Sequence, residues 1–162
     1  MSKDLGKQTT ENIKEKFKDV SEIGEKIVSE GEKVSSIIGS IDTSFLDSDD
    51  SAAIENVKSQ DSRLWDTALK EEVDTPQSEI KNEAGSHISD MEKNKNATDA
   101  AAEKLREAGS ASDIGSDVAS EGTSHMKDSS GVYESLSNET KSAVSQSEQT
   151  VANLKSRKGN LF

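Results

Sequence analysis

Residues 13–45 read IKEKFKDVSEIGEKIVSEGEKVSSIIGSIDTSF, and the spacing of their few apolar side chains decides the fold class. Ile13, Phe17, Val20, Gly24, Ile27, Gly31, Val34, Ile38, Ile41 and Phe45 alternate steps of four and three without a slip. That 3.5-residue period belongs to a helix that presents one stripe to a neighbour. Ile23, Val28 and Ile37 flank the stripe and widen it toward a face that packs on more than one neighbour. Glu, Lys, Asp and Ser fill the positions between, so a first helix is expected over about residues 2–41. Two seam positions are glycine, at a cost of about 1 kcal/mol each relative to alanine in a helix. Gly24 and Gly31 therefore point to close approach by another helix backbone; a weak, bendable helix is the competing reading.

Downstream, the helical pattern stops around Asp42–Asp50, where Asp, Ser and Thr compete for backbone N–H groups. Asp50 or Ser51 is the expected N-cap of a second helix over about residues 52–73. Its apolar face is Ile54, Val57, Leu64, Trp65, Ala68, Leu69 and Val73. Trp65, the only tryptophan, reads as a core anchor or as an anchor shared with a partner. Asp74-Thr75-Pro76 is expected to end this helix and start the next, because proline pushes the preceding residue out of the α region. A third helix carries Ile80, Ala84, Ile88, Met91, Ala101, Leu105 and Ala108. Residues 109–131 are rich in Ser and Gly and read either as a helix lined by small residues or as a flexible linker. A last helix follows over about residues 132–158, with Lys155, Arg157 and Lys158 at the negative end of its dipole and Gly159 as its stop. No strand signal and no repeat of 20–50 residues is present. The expectation is an all-α, elongated helical hairpin or bundle of four or five helices with coiled-coil-like packing. It divides into a hairpin over 1–75 and a C-terminal helical region over 76–162.

Composition limits what such a chain does. The 162 residues carry a net charge of −12, 30% apolar side chains, 3% aromatics and no cysteine. Disulfides and thiolate metal sites are excluded. The acidic balance argues against nucleic acid and anionic lipid, both of which need clustered Lys and Arg. No apolar stretch reaches the roughly 20 residues that cross a bilayer, and the first residues lack the apolar core of a signal peptide. Chemistry-bearing constellations are missing too. His87 and His125 belong to no metal-binding helix motif; Glu83 stands one turn before His87, but two ligands do not make a site. His87 reads as a polar interruption of the third helix's seam. Asp47, Asp49 and Asp50 fail as a calcium loop, since Ala52 and Lys58 stand where glycine and glutamate are needed. No catalytic residue, cofactor or metal is expected.

The first half resembles the helical proteins of bacterial type VII secretion, namely the WXG100 proteins and the helper proteins of LXG toxins. The likeness covers about residues 10–75: an amphipathic helix ending in SSIIGSIDTSFL, a short loop of Asp47-Ser48-Asp49-Asp50-Ser51 leading into Ala52-Ala53, and a second amphipathic helix containing Trp65. Phe45 stands near the family's loop tryptophan, and Ala52-Ala53 match its small pair. Asp47 stands where its glycine should be, so the tripeptide itself is absent. The family's export signal is a tyrosine followed four positions later by an acidic residue; Tyr133 is followed by Ser137. The resemblance thus implies a helper or partner of an effector more than a self-exporting substrate.

Together these readings predict a non-enzymatic helical interaction protein, a chaperone or targeting factor for a type VII-secreted effector. It would reside in the cytoplasm or leave by a leaderless route. Its partner would be a second helical protein or another copy of itself. The expected partner interface is the seam Ile13, Phe17, Val20, Gly24, Ile27, Gly31, Val34, Ile38, Ile41 and Phe45, together with Leu64, Trp65 and Leu69. Two other readings stand beside it: a self-contained, toxin-like bundle acting at membranes, and a hydrophilic, conditionally folded stress-type protein.

Overall fold

The computed structural model describes residues 2–41 and 44–162. Its elements are α1 (Ser2–Gly39), α2 (Ser48–Leu69), a five-residue π turn (Lys70–Asp74), α3 (Thr75–Ser110) and α4 (Ser116–Gly159). Because α2, the π turn and α3 run on without a break, the described residues form three uninterrupted helices, not four or five. The all-α class holds: no strand occurs among the described residues. The first helix, expected over about residues 2–41, ends at Gly39; Asp42, where the non-helical stretch was expected to begin, lies outside the described residues. Asp47, not Asp50 or Ser51, caps α2: its carboxylate accepts from the Asp50 N–H at 2.9 Å, so the helix begins at Ser48.

The break expected at Pro76 does not occur. Thr75 stays helical (φ −66°, ψ −50°), and its N–H reaches back five residues to the Lys70 carbonyl. A proline inside a regular α-helix collides with the carbonyl four residues before it. Here the turn ahead of the proline is already widened. The sequence carries a trace of this, because Trp65, Leu69, Val73 and Gln77 follow one another in three steps of four. Three such steps overrun the 3.5-residue period, and one π turn absorbs the surplus residue.

The real break lies further on. After Ser110 the chain turns through Ser112, which takes a left-handed φ of 60°. The Ser112 N–H donates to the Gly109 carbonyl at 3.2 Å and the Asp113 N–H to the Ala108 carbonyl at 3.0 Å. This is a Schellman stop with serine in the position that favours glycine. Residues 116–159 then form one helix, so the small-residue tract is helical from Ser116 and no boundary falls at 131/132. Ala119, Gly122, Met126, Ser129, Tyr133, Leu136, Thr140, Ala143, Ser147, Val151 and Leu154 keep a three-four rhythm along it, and each is buried or half-buried. Gly159 ends the helix as expected.

Contacts gather into two compact units. One comprises Met1–Glu15 and Lys81–Val144, the other Lys16–Ile80 and Ser145–Phe162. In the first, Met91, Tyr133 and Leu136 form a buried cluster with Val132 against it. Here α3 and α4 are antiparallel: Leu105 sits against Gly122, Asp99 accepts a hydrogen bond from the Ser130 hydroxyl, and Glu92 pairs with Lys141 at 2.6 Å. In the second unit, Phe17, Val20, Val28, Leu69, Val73, Val151 and Leu154 are buried. Gly24 and Gly31 do serve close approach, though what approaches is side chains and not helix backbone. A Cβ on Gly24 would come within 2.6 Å of Leu154 Cδ1 and 3.1 Å of Val73 Cγ2, and one on Gly31 would fall inside the Trp65 indole.

Two helical glycines should consequently respond in opposite ways. Gly31→Ala should lower stability by about 1–3 kcal/mol through overpacking. Gly85→Ala, with nothing within 4 Å of its added Cβ, should raise it by about 0.5–1 kcal/mol. Denaturant unfolding of the two variants checks both signs. Ser112→Gly should also stabilise, by about 1 kcal/mol, by relieving the left-handed serine.

Candidate interaction surface

Most of the predicted interface is the chain's own core. Ile13, Phe17, Val20, Gly24, Gly31 and Leu69 are buried, and Ile27, Val34, Ile38 and Trp65 are half-buried. Trp65 is an intramolecular anchor: its indole lies on Gly31, with the N–H buried and without a hydrogen-bond partner. Only Ile41 (48% exposed), Phe45 (89%) and Leu64 (60%) of the predicted set stand in solvent. Val57, expected on the apolar face of the second helix, is exposed as well. So are Ile23 and Ile37, the two flanking residues of α1.

Helix geometry brings these residues to one side. Gly31 meets Trp65 and Gly24 meets Val73, so α1 and α2 with its π turn are antiparallel. Viewed from one end, the residues of two antiparallel helices wind in opposite senses. Residues one position before the seam on each helix therefore share one side of the pair, and residues one position after it share the other. Ile23 precedes Gly24, Ile37 precedes Ile38, Leu64 precedes Trp65, and Val57 lies one heptad before Leu64. All four belong to the first side.

The C-terminal part of α4 occupies the second side. Arg157 bonds Glu25 (2.6 Å) and Glu32, which follow Gly24 and Gly31. Lys158 bonds Asp66 (2.6 Å) and the Ser62 hydroxyl (2.9 Å), and Lys155 bonds Asp74 (2.9 Å). Asp66 follows Trp65, and Asp74 follows Val73. The Arg157 guanidinium holds the Glu25 carboxyl below its ordinary value, the Ser29 hydroxyl assisting. The basic end of α4, expected merely to suit the helix dipole, thus closes one side of the α1–α2 pair. The other side, with its isoleucines, valine and leucine, is left open.

The remaining candidate for chemistry, His87, is a core residue of the other unit. Its Nε2 lies 2.8 Å from the Thr10 hydroxyl, which lies 3.3 Å from the Thr140 hydroxyl; Thr140 donates to the Leu136 carbonyl at 2.8 Å. All three side chains are buried. Burial pushes the imidazole below its ordinary value, outweighing the nearby Asp90, a hydrogen bond to the Gly6 backbone, and Glu83. A shallow groove beside it is lined by Leu5, Thr9, Glu83, Asp90 and Asn94. Among the described residues, no three His, Cys, Asp or Glu side chains are placed to hold a metal ion. Sequence reading noted His87 as a polar seam residue but missed its partners. Continuing the three-four rhythm upstream from Ile13 to Thr10 and Gly6 would have found two of them.

A neutral buried imidazole has a definite pH signature. The unfolded chain binds the proton near pH 6.5 and the folded chain only at lower pH, so stability falls as pH drops below about 6.5. Its slope should not exceed about 1.4 kcal/mol per pH unit. His87→Gln should flatten that segment of a stability-versus-pH curve measured by denaturant unfolding. The loss below about pH 4.5, where the ion-paired carboxylates Glu25, Glu92, Asp99 and Glu103, held below their ordinary values in the folded chain, take up protons, should persist. No family model, curated protein or solved structure matches the chain.

Proposed function

We propose that the chain is a non-enzymatic helical interaction protein that docks a helical segment of another protein on the open side of its α1–α2 pair. The observation that carries this reading is the exposure of Ile23, Ile37, Val57 and Leu64 on that one side, while α4 covers the opposite one. A chain in which large apolar residues are this scarce gains little by leaving four of them in water, unless another surface covers them. No helix among the described residues is long and apolar enough to cross a membrane.

The specific form we propose is a helper, either chaperone or targeting factor, for an effector of the type VII kind. Support comes from the antiparallel helical pair with Trp65 inside it and from the short Asp-rich connection, the features on which the resemblance rests. The interface differs from the seam as first read: the seam closes the fold, and its flank is offered outward.

Isolation of the protein from its native host, followed by mass spectrometry, tests the reading. One helical partner should co-purify in stoichiometric amount, and Ile37→Asp combined with Leu64→Asp should release it without altering the melting temperature. Capture that survives the double substitution, or the absence of any stoichiometric partner, would overturn the proposal.

A further inference from the structure

We infer that a second copy of this chain covers the open α1–α2 side until a partner displaces it, the two copies meeting antiparallel about a two-fold axis at Glu30. The inference rests on the docking reading above and names what holds the surface while no partner is bound.

Residues one position before the seam build the open side. On α1 these are Ile23, Lys26, Glu30, Lys33 and Ile37, all exposed. On α2 they include Ala53, Val57, Gln60 and Leu64, also exposed and without charge. The α1 edge reads nearly the same in both directions. An isoleucine stands at each end, seven residues from Glu30, with a lysine on each side between. Lys26 lies four residues before Glu30 and Lys33 three after it, a mismatch of about 1.5 Å that a lysine side chain spans. The apolar groups of α2 share this centre. Trp65 lies on Gly31, so Leu64 stands beside Glu30; Val57, one heptad earlier on an antiparallel helix, stands beside Ile37.

An isologous contact needs a patch that is complementary to itself. A two-fold axis across the helices at Glu30 lays the α1 edge of a second copy antiparallel on the first. Ile37 and Val57 of each copy then meet Ile23 of the other, in two clusters 14 residues or about 21 Å apart. The two Leu64 side chains meet near the axis. Each Glu30 enters between Lys26 and Lys33 of the other copy, so two carboxylates face four ammonium groups. In the single chain Glu30 has only an exposed pair to Lys33 of its own helix, at 3.4 Å, which water screens.

Net charge favours this side for self-pairing. The chain carries −12, which opposes contact between copies in general, whereas the α1 edge here sets two lysines against one glutamate. A foreign helix requires no such symmetry in the surface that receives it. The face is only two helix edges wide, narrower than obligate dimers use, so the pairing is reversible and the side stays open to exchange.

Light scattering over a concentration series tests the pairing. The mass of the wild-type chain should rise from 17.4 kDa toward twice that value. Glu30→Lys makes the charges of the edge wholly basic, and Lys26→Glu with Lys33→Glu makes them wholly acidic. Each set should weaken self-association at least about tenfold. Mixed one to one, the two variants should pair with each other. Ile37→Ser with Leu64→Ser, which keeps every charge, should also leave a monomer. All five substituted residues are exposed, so melting temperatures should not move. A wild-type chain that stays monomeric throughout would overturn self-pairing and leave docking of another protein standing. A dimer that none of the variants weakens, or charge variants that fail to pair on mixing, would overturn it as well. Co-sedimentation with phosphatidylcholine vesicles in place of a dimer would assign the side to lipid. The complex isolated from the host should hold one copy of the chain, and two copies would overturn the exchange. A dimer that responds as expected, with no foreign protein co-purifying, would uphold self-pairing and overturn docking.

Discussion

Every helix of this chain has to bury a stripe in which large apolar side chains are scarce, and it does so by letting small residues receive large ones. Gly24 admits Leu154 and Val73, Gly31 admits Trp65, Gly6 admits Met91 and Leu136, and Gly122 admits Leu105. A side chain laid on a glycine recovers dispersion contacts that a thin core could not otherwise provide. The arrangement is sensitive for the same reason: a site that receives an indole has no room for a methyl group. Buried serines and threonines along α4 play a similar part, filling seam positions with little volume: Ser130 bonds Asp99, Ser137 bonds Glu92 and Thr140 bonds the Leu136 carbonyl, while the buried Ser147 hydroxyl has no partner. The His87–Thr10–Thr140 layer is the extreme case, a polar contact among three helices in the middle of an apolar rhythm.

The basic end of α4 adds a second constraint. Arg157, Lys158 and Lys155 all reach residues that follow the seam on α1 and α2, so one side of the pair is closed by ion pairs and the other is not. This asymmetry separates a surface from a core. Pairs of this kind lie partly in solvent and contribute modestly to stability. Their larger effect is on geometry, because they decide which apolar flank stays in water. Ile23 and Ile37 then differ from Val28 by rotation about one helix axis alone, and the difference takes them from core to surface.

The sequence made the α1 stripe legible because that helix concentrates Ile, Val and Phe at regular spacing, and the all-α class followed from it. Helix count was harder to read. Pro76 is a strong local signal for a break, and only the three consecutive four-residue steps around Val73 spoke for a π turn. Gly109, the first residue of the Ser/Gly-rich tract, stays helical and receives Ala119, whereas the actual stop uses Ser112, a residue with no strong preference for left-handed backbone. The tract from Ser116 to Gly131 carried its rhythm in small residues, which periodicity of large apolar groups cannot reveal. For the candidate surface, the seam itself was legible; what could not be read was who covers it. That depends on the sense of winding of two antiparallel helices and on where α4 lies, both properties of tertiary structure.

Trp65 also makes the α1–α2 pair observable. It is the chain's only tryptophan, and its indole rests on the bare backbone of Gly31. Emission excited beyond the absorption of Tyr133 therefore comes from a single place and reports a single event. Separation of the two helices would move the indole from a helix surface into water and shift its fluorescence toward the red. Binding that left the pair closed would leave the spectrum nearly where it was.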